Sequence, residues 1–296
     1  MSGRLVVAVN GGTRSDAALD WAISWAVRQS MSIEVCTVLE GTWEDDDYDV
    51  LSLGHQRVLD SARDRVEETG NGVAASYVLH RGSLVDALVA LSRHSDVLVV
   101  GSRSSAMIAG VIHGTLALKL AERITTALVV VPERWAGGDG RIVAGVDDDS
   151  DSEALSFASR AAAASDEELI LVQAVEQPVY YSPFDFGGRP ELLDEQRQIS
   201  KRFVASTCET LRKRYPGLKV DGRVAVGNAS LVMVHSAQGA SLAVVGTHSR
   251  GVLMGVLLGS VSRDLLMNMP CPVAVVPPAE PTPLDDDLAL ITSLAQ

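Results

Sequence analysis

The chain repeats itself. Leu5-Val-Val-Ala-Val-Asn10 is matched 137 residues later by Ile142-Val-Ala-Gly-Val-Asp147. Further along the offset becomes 145: Val97-Leu-Val-Val-Gly101 matches Leu242-Ala-Val-Val-Gly246, Gly82 matches Gly227, Gly114-Thr115 matches Gly259-Ser260, and Val129-Val-Val-Pro132 matches Ala274-Val-Val-Pro277. The step from 137 to 145 gives the second copy about eight extra residues, placed near Pro178–Gly188. Self-similarity at one register makes each copy a folding unit built to the same plan.

Within each copy, short Val-rich runs alternate with helical stretches. The expected strands are 4–9, 33–39, 75–79, 96–100 and 127–131, then 141–146, 168–175, 220–226, 241–245 and 272–276. Apolar runs without polar alternation suit strands covered on both faces. Alternating strand and helix implies a doubly wound parallel sheet, so the fold class is α/β with two tandem five-stranded sheets. The expected division is 1–133 for the first domain, 134–140 for a glycine-rich linker, 141–278 for the second domain and 279–296 for an acidic tail. The tail holds Asp285-Asp-Asp287 and a short apolar stretch, Leu288 to Leu294, and reads as a solvated segment or a docking peptide.

A net charge of −13 repels phosphate backbones and anionic lipid, which argues against nucleic acid and membrane surfaces as partners. It does not exclude one nucleotide held by backbone N–H groups. There is no long charge-free apolar stretch to span a membrane and no leader-like start, so the expectation is a cytoplasmic protein. Cys36, Cys208 and Cys271 share no metal-ligand spacing and read as buried thiols. The histidines are scattered, and no nucleophile–base set or paired acid–base carboxylates emerge from the spacing.

The informative segment follows the fourth strand of each copy. In the second copy it runs from Gly246 through Ser249, Gly251 and Gly255 to Gly259-Ser-Val-Ser262. A glycine directly after a buried strand lets the backbone turn close to a ligand. A Gly-Ser pair opening the next helix presents free N–H groups and the positive dipole end to phosphate.

At these residues both halves, roughly 4–132 and 141–277, resemble the universal stress protein family, whose nucleotide pattern is glycine, two residues, glycine, nine residues, glycine, then Ser or Thr. The resemblance implies an ATP-binding regulatory module of a stress or dormancy response, with at most weak ATP hydrolysis. It implies Asp147, flanked by Gly145 and Val146, on the adenine or ribose, and Ala174 on the adenine. Val245, Gly246, His248 and Arg250, in one loop with Ser249 and Gly251, would line the ribose and phosphate path, and Gly259, Ser260, Val261 and Ser262 would grip the phosphates. The first-copy counterparts are Asn10, Val38, Val100, Gly101, Arg103, Gly114, Thr115, Leu116 and Leu118.

Both copies depart from the pattern. Ser104 and Ser249 stand at its second glycine, and the first copy has Ala106 for Gly251, Leu118 in place of Ser262, and Asn10 for Asp147. The second copy is therefore the better candidate. Asp148 and Asp149 stand where the family has Gly-Ser. Asp148 is a candidate ligand for a Mg²⁺ accompanying the nucleotide, the alternative being a solvated acidic run that caps the next helix. Asn10-Gly-Gly-Thr-Arg-Ser15 is weakly similar to the glycine-rich loop of pyrophosphate-releasing ATP enzymes, with Arg14 where those carry Asp. Trp21 and Trp25, four apart on one helix, are expected in a core or seam. The last strands are apolar edges that invite pairing. The resemblance implies that they pair between the two domains as a pseudo-twofold unit, that two chains form a homodimer, and that an unidentified protein partner reads the nucleotide state.

Overall fold

Four-residue runs such as Leu128-Val-Val-Val131 are wholly buried, and such runs become the strands. The computed structural model describes residues 3–41, 45–102, 115–147, 152–176, 190–247 and 258–278, without side chains at 45–49, 115 and 190–191. The first copy is β1 (Arg4–Ala8), α1 (Thr13–Gln29), β2 (Ser32–Leu39), α2 (Asp45–Thr69), β3 (Ala75–Arg81), α3 (Leu84–Ser92), β4 (Val97–Ser102), α4 (Thr115–Ala121) and β5 (Ala127–Pro132). The second is β6 (Arg141–Gly145), α5 (Glu153–Ser165), β7 (Glu168–Val175), α6 (Pro190–Arg214), β8 (Val220–Val226), α7 (Ala229–Ser236), β9 (Leu242–Gly246), α8 (Ser260–Met267) and β10 (Val273–Val276).

The strands form one ten-stranded sheet in the order β3-β2-β1-β4-β5-β10-β9-β6-β7-β8. Pairing is parallel except where the copies meet. There β5 and β10 run antiparallel, with Val130 opposite Val273, Val129 opposite Ala274 and Leu128 opposite Val275. The two apolar edges thus cover each other within the chain, as the family resemblance implied, and the two five-stranded sheets are continuous. All six residues are fully buried. Burying each large aliphatic side chain contributes about 1.5–3 kcal/mol, so a seam of this kind is a core rather than a loose contact.

One face of the sheet carries α1, α2, α5 and α6, and the other α3, α4, α7 and α8, each over its own apolar cluster. The helices α1 and α5 meet across the pseudo-twofold. Trp21 stacks on Trp25 at 4.7 Å and Trp25 on Phe157 at 6.0 Å. The Gln29 amide donates to the Ala161 carbonyl (3.0 Å) and to Ser165 Oγ (2.8 Å). The two tryptophans therefore sit in a seam between the copies.

The repeat extends to single hydrogen bonds. Gly82 and Gly227 both have positive φ, and their N–H groups donate to the carbonyls of Leu39 and Val175, each at 3.0 Å. Ser83 and Asn228 then cap α3 and α7, accepting from the N–H of Asp86 and Leu231. Only glycine tolerates that backbone turn cheaply, which explains why the pair was visible as a sequence match.

Candidate functional site

In each copy the first strand lies between the second and the fourth, so the chain's connections leave to opposite faces at β1/β4 and at β6/β9. The carboxyl ends of such a strand pair frame a crevice, the usual place for a ligand in an open α/β sheet. In the second copy the crevice lies beyond Gly145 and Gly246. Val146 extends β6, its N–H donating to the Val172 carbonyl (2.9 Å), and delivers Asp147 to the surface. Ala174, on the neighbouring β7, is half-buried.

Three features of this crevice leave donor capacity. Among the described residues a Cβ built on Gly246 would meet only Ala154 Cβ at 3.8 Å and the Val276 carbonyl oxygen at 3.9 Å, ordinary contacts that do not crowd it. Gly259 is the N-cap of α8 and has no side chain with which to cap it. The first N–H groups of α8, at Ser260, Val261 and Ser262, have no turn of helix before them to accept them. The Gly259 N–H donates to the Thr247 carbonyl (3.0 Å), which pins the helix start to the end of β9. Thr247 itself is 2% exposed, and its hydroxyl has no hydrogen-bond partner among the described residues. Leaving a buried hydroxyl unmatched costs roughly 1–3 kcal/mol.

Thr247 was absent from the residues picked out in the sequence. It stands inside the motif, but its next-door Gly246 carried all the signal. The resemblance implied Ser262 at the phosphates. Its hydroxyl is buried and donates to the Gly246 carbonyl (2.5 Å), so it braces the strand end from inside instead of reaching into the crevice. In the repeat's own register its first-copy counterpart is Ala117, 4% exposed, and not Leu118, which packs against the apolar cluster under α3 and α4. Ser260 is exposed and Val245 is buried behind the crevice wall. His248, Ser249, Arg250, Gly251, Asp148, Arg103 and Gly114 lie outside the described residues. Among the described residues, no three His, Cys, Asp or Glu side chains gather as a metal site.

The first copy is built differently at the same place. Asn10 Oδ1 accepts from the Gly12 N–H (3.1 Å), and the glycine-rich stretch forms a tight turn into α1. That helix begins at Thr13, whereas the sequence offset of 137 would place the start of α5 at 150 and it begins at Glu153. Three extra residues amount to ~4.5 Å of helix. The added turn seats on β4: a Cβ on Gly101 would lie 2.2 Å from the Arg14 carbonyl oxygen. Thr13 donates to the Glu133 carboxylate, and Arg14 pairs with it at 3.9 Å, holding the turn down. Val100 is buried, Val38 half-buried, and Thr115 opens α4, which has only seven residues. The second-copy position of Glu133 is Pro278, which has no carboxylate to form such a clasp.

The model of the universal stress protein family matches residues 1–132 and again 140–277. A universal stress protein of Mycolicibacterium smegmatis is 26% identical over 294 residues, spanning 93% of this chain and 97% of its own. One from Mycobacterium tuberculosis H37Rv is 26% identical over 303 residues, spanning 92% and 94%. The crystal structure of a universal stress protein from Archaeoglobus fulgidus superimposes with a TM-score of 0.69 over 94% of this chain and 99% of its own, at 17% identity, and so shares the fold. Two matched halves and relatives of tandem length establish that this chain belongs to the universal stress protein family.

Proposed function

We propose that the second copy binds an adenine nucleotide, ATP, and that the chain is a cytoplasmic regulatory module whose nucleotide state is read by a protein partner during stress or dormancy. The observation that carries the reading is the junction of β9 and α8. There an uncapped helix start, an accessible Gly246 and the orphaned, buried Thr247 hydroxyl converge. Helix N–H groups and the dipole's positive end suit phosphate oxygens, and a lone hydroxyl suits a ribose or phosphate oxygen. Asp147, Ala174, Val245, Ser260 and Val261 complete the framework around that junction, and His248, Ser249, Arg250 and Gly251, which lie outside the described residues, stand in the sequence between β9 and α8. The first copy, whose crevice is filled by α1, is assigned a structural role. The proposed units are 1–133 and 141–278, joined by 134–140. The same reading takes the chain as a homodimer. Because β5 and β10 are spent on each other, that dimer uses outer surfaces, such as the α2 face bearing exposed Val50 and Leu53.

The direct test is to denature the purified protein and chromatograph what is released, together with calorimetric titration of ATP into the native chain and into Thr247→Val. Released adenine nucleotide, and weaker ATP binding in the variant, support the reading. No nucleotide released and no heat of binding would replace it with an interaction scaffold. Incubation with labelled ATP separates binding from turnover: steady ADP production would convert the reading to a slow ATPase or nucleotidyl transferase. Light scattering at micromolar concentration gives about twice 31.3 kDa for the dimer, and the single-chain mass removes it.

A further inference from the structure

The ten-stranded sheet ends in two edges, β3 and β8. An edge carries a row of backbone donors and acceptors that can pair with another strand. In β8 the inner row is fixed by two bonds. The Leu169 N–H donates to the Lys219 carbonyl (2.8 Å), and the Gly227 N–H donates to the Val175 carbonyl (3.0 Å). Backbone groups alternate sides along a strand of a parallel ladder, so residues 219, 221, 223, 225 and 227 face β7. Val220, Gly222, Val224 and Val226 then face outward. Among the described residues this outer row has one hydrogen-bond partner, the Arg212 guanidinium, which donates to the Val220 carbonyl (2.6 Å). Beside the edge lies a groove of about 390 Å³ between α6 and β8, lined in part by Lys201, Ala205, Arg212, Gly222 and Val224. The two copies differ here. The offset of 145 sets Gly222 against Tyr77 of β3, whose ring lies under the Arg63 guanidinium at 4.7 Å. Gly222 has no side chain to crowd its edge, and α6 sits so close that a Cβ there would overlap the Val204 side chain.

The edge is also self-complementary. Val220-Asp-Gly-Arg-Val224 reads the same in either direction once Asp is matched with Arg. We infer that two chains join by antiparallel pairing of β8 with β8, centred on Gly222. Gly222 faces outward, so the two Gly222 residues exchange both N–H···O bonds. Val220 of each chain pairs with Val224 of the other in the same way. The Val220 carbonyl accepts from Arg212 with one lone pair and keeps the second for this bond. Asp221 and Arg223 then stand opposite each other as non-hydrogen-bonded pairs, twice, with Cα atoms about 4.5 Å apart. Both are exposed and already pair along their own strand at 3.7 Å, so four charges of alternating sign close into one network. Opposite charges directly across two strands stabilise the pairing, and like charges oppose it. Centring on Asp221 or on Arg223 would set like on like, so the charges fix the register. Such a twofold contact uses the same patch of both chains and closes at two. The inference rests on the homodimer proposed above and places its seam at this edge instead of the α2 face.

The test is sedimentation of the full-length chain at micromolar concentration, native and with Asp221→Arg or Arg223→Asp. The native chain is expected at twice 31.3 kDa. Each variant by itself sets like charge against like at two places and is expected to weaken the dimer by about tenfold or more. An equimolar mixture of the two variants is expected to recover the dimer as one chain of each, because opposite charges again face each other across the seam. Charges within each variant strand stay alike, so the recovery reports pairing between chains and not repair of either fold. Leu53→Glu on α2 is expected to leave the dimer intact. A native dimer that survives both β8 variants, a mixture that does not recover, or dissociation by Leu53→Glu would overturn this seam and leave the homodimer standing. A single-chain mass for the native protein would remove the homodimer and the seam with it.

Discussion

The carbonyl oxygen of Arg14 lies 2.2 Å from where a Cβ on Gly101 would stand, whereas among the described residues the same construction on Gly246 meets only ordinary contacts, Ala154 Cβ at 3.8 Å and the Val276 carbonyl oxygen at 3.9 Å. One more helical turn on α1 makes the difference. Gly101→Ala is therefore expected to destabilise the chain by about 1–3 kcal/mol, because backbone must move to admit the methyl group. Gly246→Ala is expected to change stability by under ~1 kcal/mol and to act on ligand affinity instead. Thermal unfolding of the two variants compares them, and a larger loss from Gly246→Ala would show that the two crevices have been ranked the wrong way round.

The same asymmetry sets the stoichiometry. Calorimetric titration is expected to give one ATP per chain. Gly259→Glu, which puts a carboxylate at the start of α8, is expected to weaken binding at least a hundredfold, since like charge near ~5 Å costs roughly 3 kcal/mol at an effective dielectric near 20. Gly114→Glu in the first copy is expected to leave affinity nearly unchanged. Two sites of similar affinity, or equal losses from the two variants, would reassign the first copy as a nucleotide site.

Much of this architecture was legible in the sequence because it depends on local pattern. The strands expected at 4–9 and 168–175 are found at Arg4–Ala8 and Glu168–Val175, since continuous apolar runs flanked by turns leave little choice. The terminal strands read as apolar edges that invite pairing, the family resemblance implied that they pair with each other, and they form the β5/β10 ladder. What could not be read depends on the third dimension. Ser15 and Ser152 occupy matching positions, yet Ser152 is the N-cap of α5, while Ser15 lies inside α1 and its hydroxyl donates to the Gly12 carbonyl. The Asn10 turn starts that helix three residues early, and only the folded sheet brings its first turn onto Gly101. Likewise Ser262 matches a phosphate-binding pattern as a letter, but its place on the helix turns it inward to the Gly246 carbonyl.

The thiols give a pH prediction. Burial holds Cys36 and Cys271 as neutral thiols, pushing each from an ordinary 9.0 up to about 12, and burial raises Cys208 as well. A group with a higher pKa in the folded chain binds its proton more tightly there. Its contribution is complete below pH 9.0 and is lost as pH rises toward about 12. For Cys36 and Cys271 this amounts to at most about 4 kcal/mol each. Folded protein at pH 8 is expected to resist a thiol reagent, to react fully once denatured, and to lose stability across that alkaline window. Stoichiometric labelling of the native chain at pH 8 would contradict the burial of these side chains.

The last prediction concerns divalent metal. Asp147 stands exposed at the end of β6, and Asp148 and Asp149 follow it in the chain. Up to three carboxylates beside a phosphate path oppose a triphosphate, by roughly 3 kcal/mol for a charge pair at ~5 Å and an effective dielectric near 20. That corresponds to about two orders of magnitude in affinity. Mg²⁺ reverses the sign, because it accepts one or two carboxylates together with phosphate oxygens and keeps the rest of its water. Ser152 already caps α5, its hydroxyl accepting from the Leu155 N–H at 3.2 Å, so the aspartates are not needed as caps. ATP affinity is therefore expected to fall about a hundredfold when EDTA replaces excess Mg²⁺, and this dependence is expected to shrink in Asp148→Gly. Calorimetry in both conditions, on both proteins, decides it. Dependence unchanged in Asp148→Gly would remove that residue from metal binding, and equal native affinity with and without Mg²⁺ would discard the bridge.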